Sequence, residues 1–309
     1  MKPDYLKEII NHLKNNFAVN DDAEITMETN PGTVNKDKLT KFKEAGINRI
    51  SIGIQSFDEE ELKLLTRIHD KQTAIKTVNN AAEIGFENIS VDLIFNLPNQ
   101  TKEKWIENLE TAIKLPIKHI SAYSLILERG TILNKMVLDG KVIMQDDDYD
   151  ADLYETTINF LFSNGFYQYE VSNFTKPGFE CTHNNAYWRY RDYIGFGTSA
   201  HSFVNGKRWW NYTSLKKYIS EIDLKTHAIM NSEIVSINQM HDEYVMLALR
   251  SSGLDLVDYR KRFSDDWIKK NNSYFELLKN EQHLSIENNW IKLTPKGYAV
   301  CDEILKNIL

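Results

Sequence analysis

Cysteine is what this chain of 309 residues has least of: only Cys181 and Cys301. Two cysteines so far apart can form neither a disulfide framework nor a set of thiolates around one cluster, and such sparing use fits a reducing, cytoplasmic compartment. Positive charge is also short. Lys and Arg number 37 against 44 Asp and Glu, a formal net charge of −7, which argues against the concentrated basic face that nucleic-acid binding requires. No apolar run reaches the roughly 18 residues of a membrane span. At the N-terminus Leu6, Ile9, Ile10 and Leu13 recur at helical spacing among Lys7, Glu8, Asn11 and His12, so the unbroken apolar core of a signal peptide is missing. With 42% hydrophobic and 11% aromatic residues the chain can still build a core, and its length suggests roughly two domains.

What is present is a repeated phrase: a helix ending in Gly, then a short apolar strand opening Ile-Ser or Ile-Thr, with a polar residue at its far end. It occurs at Ile25-Thr26-Met27-Glu28, from Gly46 through Ile50-Ser51 to Gln55, from Gly85 through Ile89-Ser90 to Asp92, and at Ile120-Ser121-Ala122-Tyr123. Stacked βα units read this way, and such folds place chemistry at the C-terminal edge of parallel strands. The spacing predicts helices over 3–16, 36–45, 71–84, 102–113 and 147–163, and another opened by Asp58. Strands are predicted over 24–29, 49–55, 88–95, 119–127 and 167–172. The β-branched, largely apolar run 88–95 predicts a strand buried on both faces. Helices alternating with parallel strands give an α/β fold, with too few strands to close a barrel of about eight.

After residue 175 an aromatic stretch, 183–212, shows little helical periodicity. Helices return over 241–250, 256–263 and 268–279, followed by a hairpin over 284–293 and a last helix after Thr294-Pro295-Lys296-Gly297. That order resembles a winged helix. Asp255, Asp258, Asp265, Asp266 and Glu276 make DNA the weaker use of the shape, and a packing or lid role is expected.

Two constellations carry chemistry. Glu28, Gln55, Arg67 and Asp92 offer a carboxylate for an ammonium, a cation for a carboxylate, and acceptors for ribose hydroxyls; each alone serves equally well to cap a strand. The second runs from Tyr169-Glu170-Val171-Ser172-Asn173-Phe174 through His183-Asn184-Asn185-Ala186-Tyr187-Trp188 to Gly195, Gly197 and His201. A His beside aromatics suits a metal macrocycle, although on spacing alone a core histidine in a folded aromatic loop is the commoner outcome. Cys181 is a soft second ligand or a small buried hydrophobe. Trp209 and Trp210 are core, or a wall for a flat ligand. Gly195-x-Gly197 is a weak nucleotide signal, and Asp146-Asp147-Asp148 reads as a solvated helix start.

In this order the motifs resemble the radical SAM proteins related to oxygen-independent coproporphyrinogen III oxidase, and within them the haem chaperone branch. The resemblance rests on Glu28-Thr-Asn-Pro-Gly32, Asn48 to Phe57, Arg67-Ile-His69, Asp92-Leu-Ile-Phe95, Leu97-Pro98-x-Gln100-Thr101, Tyr169 to Phe174, His183-Asn-x-x-Tyr-Trp188 and Ala200-His-Ser202. It implies that Glu28, Gln55, Arg67 and Asp92 line an S-adenosylmethionine pocket. It also implies that His183, Asn184, Tyr187 and Trp188 handle haem, with His183 as the iron ligand and Cys181 and His201 as alternatives. The implied function is delivery of haem to acceptor proteins, a membrane-associated one among them; a radical oxidase of porphyrin biosynthesis is the alternative, and charge and hydropathy give no nucleic-acid partner and no integral membrane segment. The expected organisation is a partial (β/α) barrel of radical SAM type over 1–135, its continuation with the aromatic segment over 136–235, and a winged-helix-like domain over 236–309.

The family's Cys-x3-Cys-x2-Cys loop and its Gly-rich motif are absent, and the first strand here matches the family's third. Three thiolates hold a 4Fe-4S cluster in that family, so a cluster is expected only in a longer form. A truncated chain is the expectation, against a naturally shortened protein. Asn96 and Asn99 stand where relatives often carry small residues, a change expected to alter the loop.

Overall fold

The structure, a computed structural model, describes residues 2–309, which divide into two compact units with the boundary between Glu180 and Cys181. The first unit opens with α1 (Pro3–Asn16), β1 (Thr26–Thr29), α2 (Lys36–Glu44), β2 (Arg49–Gln55), α3 (Glu59–Leu64) and α4 (Lys71–Glu83). It continues with β3 (Asn88–Phe95), α5 (Lys102–Ile113), β4 (His119–Ser124), α6 (Ile132–Leu138), α7 (Asp147–Ser163), β5 (Tyr167–Glu170) and β6 (Asn173–Thr175). Side chains set these boundaries. Asn35, Asp58, Asp70, Thr101 and Asp146 each accept a hydrogen bond from a first-turn backbone N–H of the helix that follows, satisfying donors that a helix leaves open. Gly46 and Gly85, with φ of 106° and 92°, follow α2 and α4, in the left-handed region where a side chain is strained.

The six strands form one open sheet in the order β1-β2-β3-β4-β6-β5. β1 to β4 are parallel, while β6 runs antiparallel to β4 and β5 antiparallel to β6. The expected single strand over 167–172 is instead a reversal, because the chain turns back at Val171-Ser172 and inserts β6 beside β4. The core lies on one face of this sheet. Ile50, Ile52, Ile54, Ile89, Val91, Leu93, Phe95, Ile120 and Phe174 are all buried there with Leu39, Phe42, Val78, Trp105, Leu109, Leu153 and Leu161 from the helices. Each such side chain contributes about 1.5–3 kcal/mol by leaving water.

The second unit comprises α8 (Thr182–Trp188), β7 (His201–Val204), β8 (Lys207–Asn211), α9 (Leu215–Lys225), β9 (Ile229–Ile234) and α10 (Ile237–Leu249). After these come β10 (Leu254–Asp255), α11 (Leu256–Arg262), α12 (Asp266–Asn280), β11 (Leu284–Glu287), β12 (Trp290–Leu293), α13 (Pro295–Ala299) and α14 (Cys301–Ile308). The aromatic stretch is therefore not irregular: it holds a short helix and two strands of the antiparallel sheet β7-β8-β9. From α10 onward, helices flank the antiparallel sheet β10-β12-β11, as a winged helix requires, around a second core that includes Val245, Leu249, Leu254, Tyr259, Phe275, Ile291 and Ile304. Among the described residues no helix is long and apolar enough to cross a membrane.

Candidate functional site

In the first unit the polar chemistry lies on the sheet face opposite the apolar core, and most of it is buried. Strand alternation sends Ile50, Ile52 and Ile54 into the core and leaves Arg49, Ser51 and Gly53 on the other side. β3 likewise splits into an apolar face, Ile89, Val91, Leu93 and Phe95, and a polar one, Asn88, Ser90 and Asp92. Most of β3 is buried, as its composition predicts, but its second face is polar rather than apolar. In register, Glu28, Ser51, Ser90, His119 and Thr175 lie side by side across five strands, and Gly53, Asp92, Ser121 and Asn173 form the next row. The Ser or Thr that opens each repeated phrase thus belongs to one polar wall.

Along this wall the groups are joined. Ser51 Oγ donates to Asp92 Oδ1 at 3.0 Å. Burial raises the pKa of the Asp92 carboxyl, and the nearby Glu28 adds to the rise, while hydrogen bonds from Ser51 and Ser121 and the charge of Arg49 oppose it. His119 accepts or donates at both ring nitrogens, to Ser90 Oγ at 2.8 Å and to Tyr169 OH at 2.8 Å. Burial, with Arg49 adding to it, lowers its pKa to about 3, so the imidazole is neutral. Glu170, fully buried, accepts from the Ser172 N–H at 2.9 Å and from the Asn173 amide; burial pushes its pKa up to about 7. Tyr123 is raised to about 12, by burial first and then by Asp92.

At the C-terminal strand edge the four residues singled out in sequence come together. Gln55 has φ of 73°, beside a register shift between Gly53 and Gln55, and its side chain folds back over Gly53. A methyl group at position 53 would stand 2.8 Å from Gln55 Nε2 and 3.0 Å from Asn30 Oδ1. Asn30 Oδ1 in turn accepts from Arg67 Nη1 at 3.4 Å, and the buried Nε of Arg67 has no hydrogen-bond partner. Gly53 pairs with Asp92, and Glu28 is near enough to act on it. One rim therefore carries Glu28, Gln55, Arg67 and Asp92, with an unsatisfied guanidinium N–H that suits an anionic ligand group. Asn96 and Asn99 adopt left-handed φ of 59° and 60°, a conformation asparagine tolerates better than most residues.

The residues present do not fit an iron–sulfur cluster. Cys181 and Cys301 are both buried, and no group of three or more His, Cys, Asp and Glu side chains among the described residues is arranged to hold a metal ion.

In the second unit a cavity of about 540 Å³ is walled by Tyr187, Tyr190, Tyr193, Phe203 and Trp210 and floored by Met246 and Leu247 of α10, with Arg191, His201, Arg208, Glu233 and Glu243 supplying polar groups. That is within the size range of small-molecule sites. The rings brace one another: Tyr187 packs on Tyr193 with centroids 4.6 Å apart, Tyr190 on Phe203 at 4.9 Å, and His201 lies on Trp210 at 5.8 Å with 24° between planes. Arg208 is committed to Glu243, at 2.6 and 2.7 Å, and to Glu233 at 3.0 Å. Of the residues expected to handle haem, Tyr187 lines the cavity. His183, one turn earlier on α8, meets Tyr187 edge-on at 4.8 Å; Asn184 and Trp188 are not among the lining residues.

Sequence reasoning missed Ser51, His119 and Arg49 as site residues, which the alternation in 49–54 would have placed on a polar face, and missed Arg191 and Arg208, for which no local signal exists.

The radical SAM superfamily pattern matches residues 1–112. The heme chaperone HemW of Bacillus subtilis is 33% identical over 287 residues, covering 91% of this chain and 75% of that protein. The radical S-adenosyl methionine domain-containing protein 1, mitochondrial, of Danio rerio is 31% identical over 320 residues, covering all of this chain and 72% of its relative. Among solved structures, the coproporphyrinogen III oxidase HemN of Escherichia coli, described as a radical SAM enzyme, superposes with a TM-score of 0.81 at 22% identity, over 100% of this chain and 74% of that one. The last comparison shows a common fold.

Proposed function

Because the chain belongs to the HemW-type haem chaperones of the radical SAM superfamily, we propose that it binds haem in the aromatic cavity of its second unit and hands it to haem-accepting proteins in the cytoplasm. The observation that carries this reading is the cavity itself, whose five aromatic walls suit the faces of a macrocycle and whose Arg191 suits one of its carboxylates. His183, Asn184, Tyr187 and Trp188 belong to this reading as the helix that forms one margin of the cavity, Tyr187 making the direct contact.

The strand-end rim of the first unit is the proposed S-adenosylmethionine site. There Glu28 accepts from the ammonium group of the ligand, Arg67 binds its carboxylate, and Asp92 and Gln55 accept from the ribose hydroxyls. The Ser51 and Ser121 hydroxyls hold the Asp92 carboxylate in place. In the family, S-adenosylmethionine bound at a 4Fe-4S cluster supplies radical chemistry; this chain provides no set of ligands for the cluster, so no radical step is assigned to its residues.

Haemin titration tests the haem reading. The expected result is a shifted Soret band saturating at one haem per chain, with affinity reduced about tenfold or more by Trp210→Ala through lost apolar contact at the cavity wall, on the order of 1.4 kcal/mol. A Soret band unchanged from that of free haemin would overturn it. Equilibrium dialysis with S-adenosylmethionine tests the rim: Asp92→Asn should abolish binding while leaving the melting temperature near that of the parent.

A further inference from the structure

We infer that the side chain that ligates haem iron is His201 and that Arg191 receives a haem propionate; this rests on the cavity being the haem site. Three observations select His201. It lines the cavity, whereas His183 does not. Its ring stacks on Trp210, with centroids 5.8 Å apart and 24° between planes, which restricts its orientation. Among the described residues neither of its ring nitrogens has a hydrogen-bond partner, so a lone pair is available to a metal.

The backbone that carries it is held in place. His201 opens β7 and pairs with Trp210 of β8. The Gly195 N–H donates to the next residue, Ser202 Oγ, at 3.0 Å, and a Cβ at Gly195 would collide with the His201 carbonyl oxygen at 2.2 Å. Gly195 therefore permits close approach to the His201 backbone, and Gly197 has a φ of 99° that favours glycine, which together explain the pair without a nucleotide.

Arg191 is the second half of the inference. Arg208 is already neutralised by Glu243 and Glu233, while Arg191, exposed at the cavity, has no ion-pair partner among the described residues. It is the lining cation free to take a carboxylate.

The same geometry bears on delivery. A metal-bound histidine usually donates its other ring N–H to a carbonyl or carboxylate, and that bond raises ligand strength by roughly 10–100-fold in affinity. Among the described residues His201 has no such acceptor, so its bond to iron would lack that reinforcement from the protein, which suits a protein that must release its haem.

Ferric haem complexes of the parent, His201→Gly, His183→Ala and Arg191→Gln are to be compared by resonance Raman and absorption spectroscopy, with iron-free protoporphyrin IX bound in parallel. The parent and His183→Ala should show a histidine-ligated spectrum. His201→Gly should lose it, regain it on adding imidazole, and bind protoporphyrin IX as the parent does. Arg191→Gln should weaken haem about fivefold and leave haem dimethyl ester unaffected. Loss of the histidine signature in His183→Ala with its retention in His201→Gly would overturn the ligand assignment while leaving the cavity reading intact. Failure of the parent to bind protoporphyrin IX or haem would instead remove the cavity reading on which it stands. Equal loss for haem and its dimethyl ester in Arg191→Gln would overturn the propionate assignment.

Discussion

Glu170 is the residue at which burial and charge conflict most plainly. Its carboxyl is fully buried, and its pKa rises from 4.5 to about 7, so between these values the folded chain holds a proton that the unfolded chain has released. Stability from this group is complete below pH 4.5 and is lost as pH rises through 7. His119 acts in the opposite sense: its pKa falls from 6.5 to about 3, so its contribution is complete above 6.5 and is lost as pH falls toward 3. Glu170→Gln removes only the first effect. The Asn173 Oδ1 has no partner, and a rotated Asn173 side chain can accept from the amide N–H that this substitution introduces. The variant should therefore be more stable than the parent at pH 8, by about 3 kcal/mol, and melt no higher at pH 4.5. Melting curves at the two pH values check this; an equal difference at both would show that ionisation of Glu170 is not the cause.

At the scale of the element, β2 shows how one strand serves core and site together. Ile50, Ile52 and Ile54 are fully buried on one side, and on the other Gly53 leaves room for the Gln55 amide to fold back. Gly53→Ala puts a methyl 2.8 Å from Gln55 Nε2 and 3.0 Å from Asn30 Oδ1. Both are side-chain ends, so they yield at small cost to the fold but leave their places on the rim. Calorimetric titration with S-adenosylmethionine should show several-fold weaker binding with an unchanged far-ultraviolet spectrum; unaltered affinity would mean that Gln55 does not contact the ligand. The repeated phrase made β1 to β4 legible, because caps, glycines and alternation are local. The reversal into β5 and β6 was not, since 167–172 reads as one strand until pairing with β4 decides where it turns. Nor was α8, whose seven residues are too few to display a period.

Each of the two units has a hydrophobic core of its own. A large-to-small substitution at Ile52 or Leu254, both fully buried, costs about 2–5 kcal/mol. Ile52→Ala should speed hydrogen exchange at the β2 and β3 amides, and Leu254→Ala at those of β10 and β12. Mass spectrometry of the exchanged peptides checks both, and unaltered exchange around either site would show that the side chain does not carry its core.

The sequence by itself determined the α/β alternation, the helix limits and the hairpin near the C-terminus, because these follow from hydrophobic period, capping and turn residues within a few positions. It also marked Glu28, Gln55 and Asp92 as polar positions on recognisable strands, and Arg67 as the cation that follows α3. Only the tertiary structure decided that Ser51, Ser90, His119 and Thr175 share one polar wall, and that Tyr193, His201, Trp210 and Met246 enclose one cavity. Strand pairing and helix packing join residues far apart in the chain, and no local pattern encodes which of them meet.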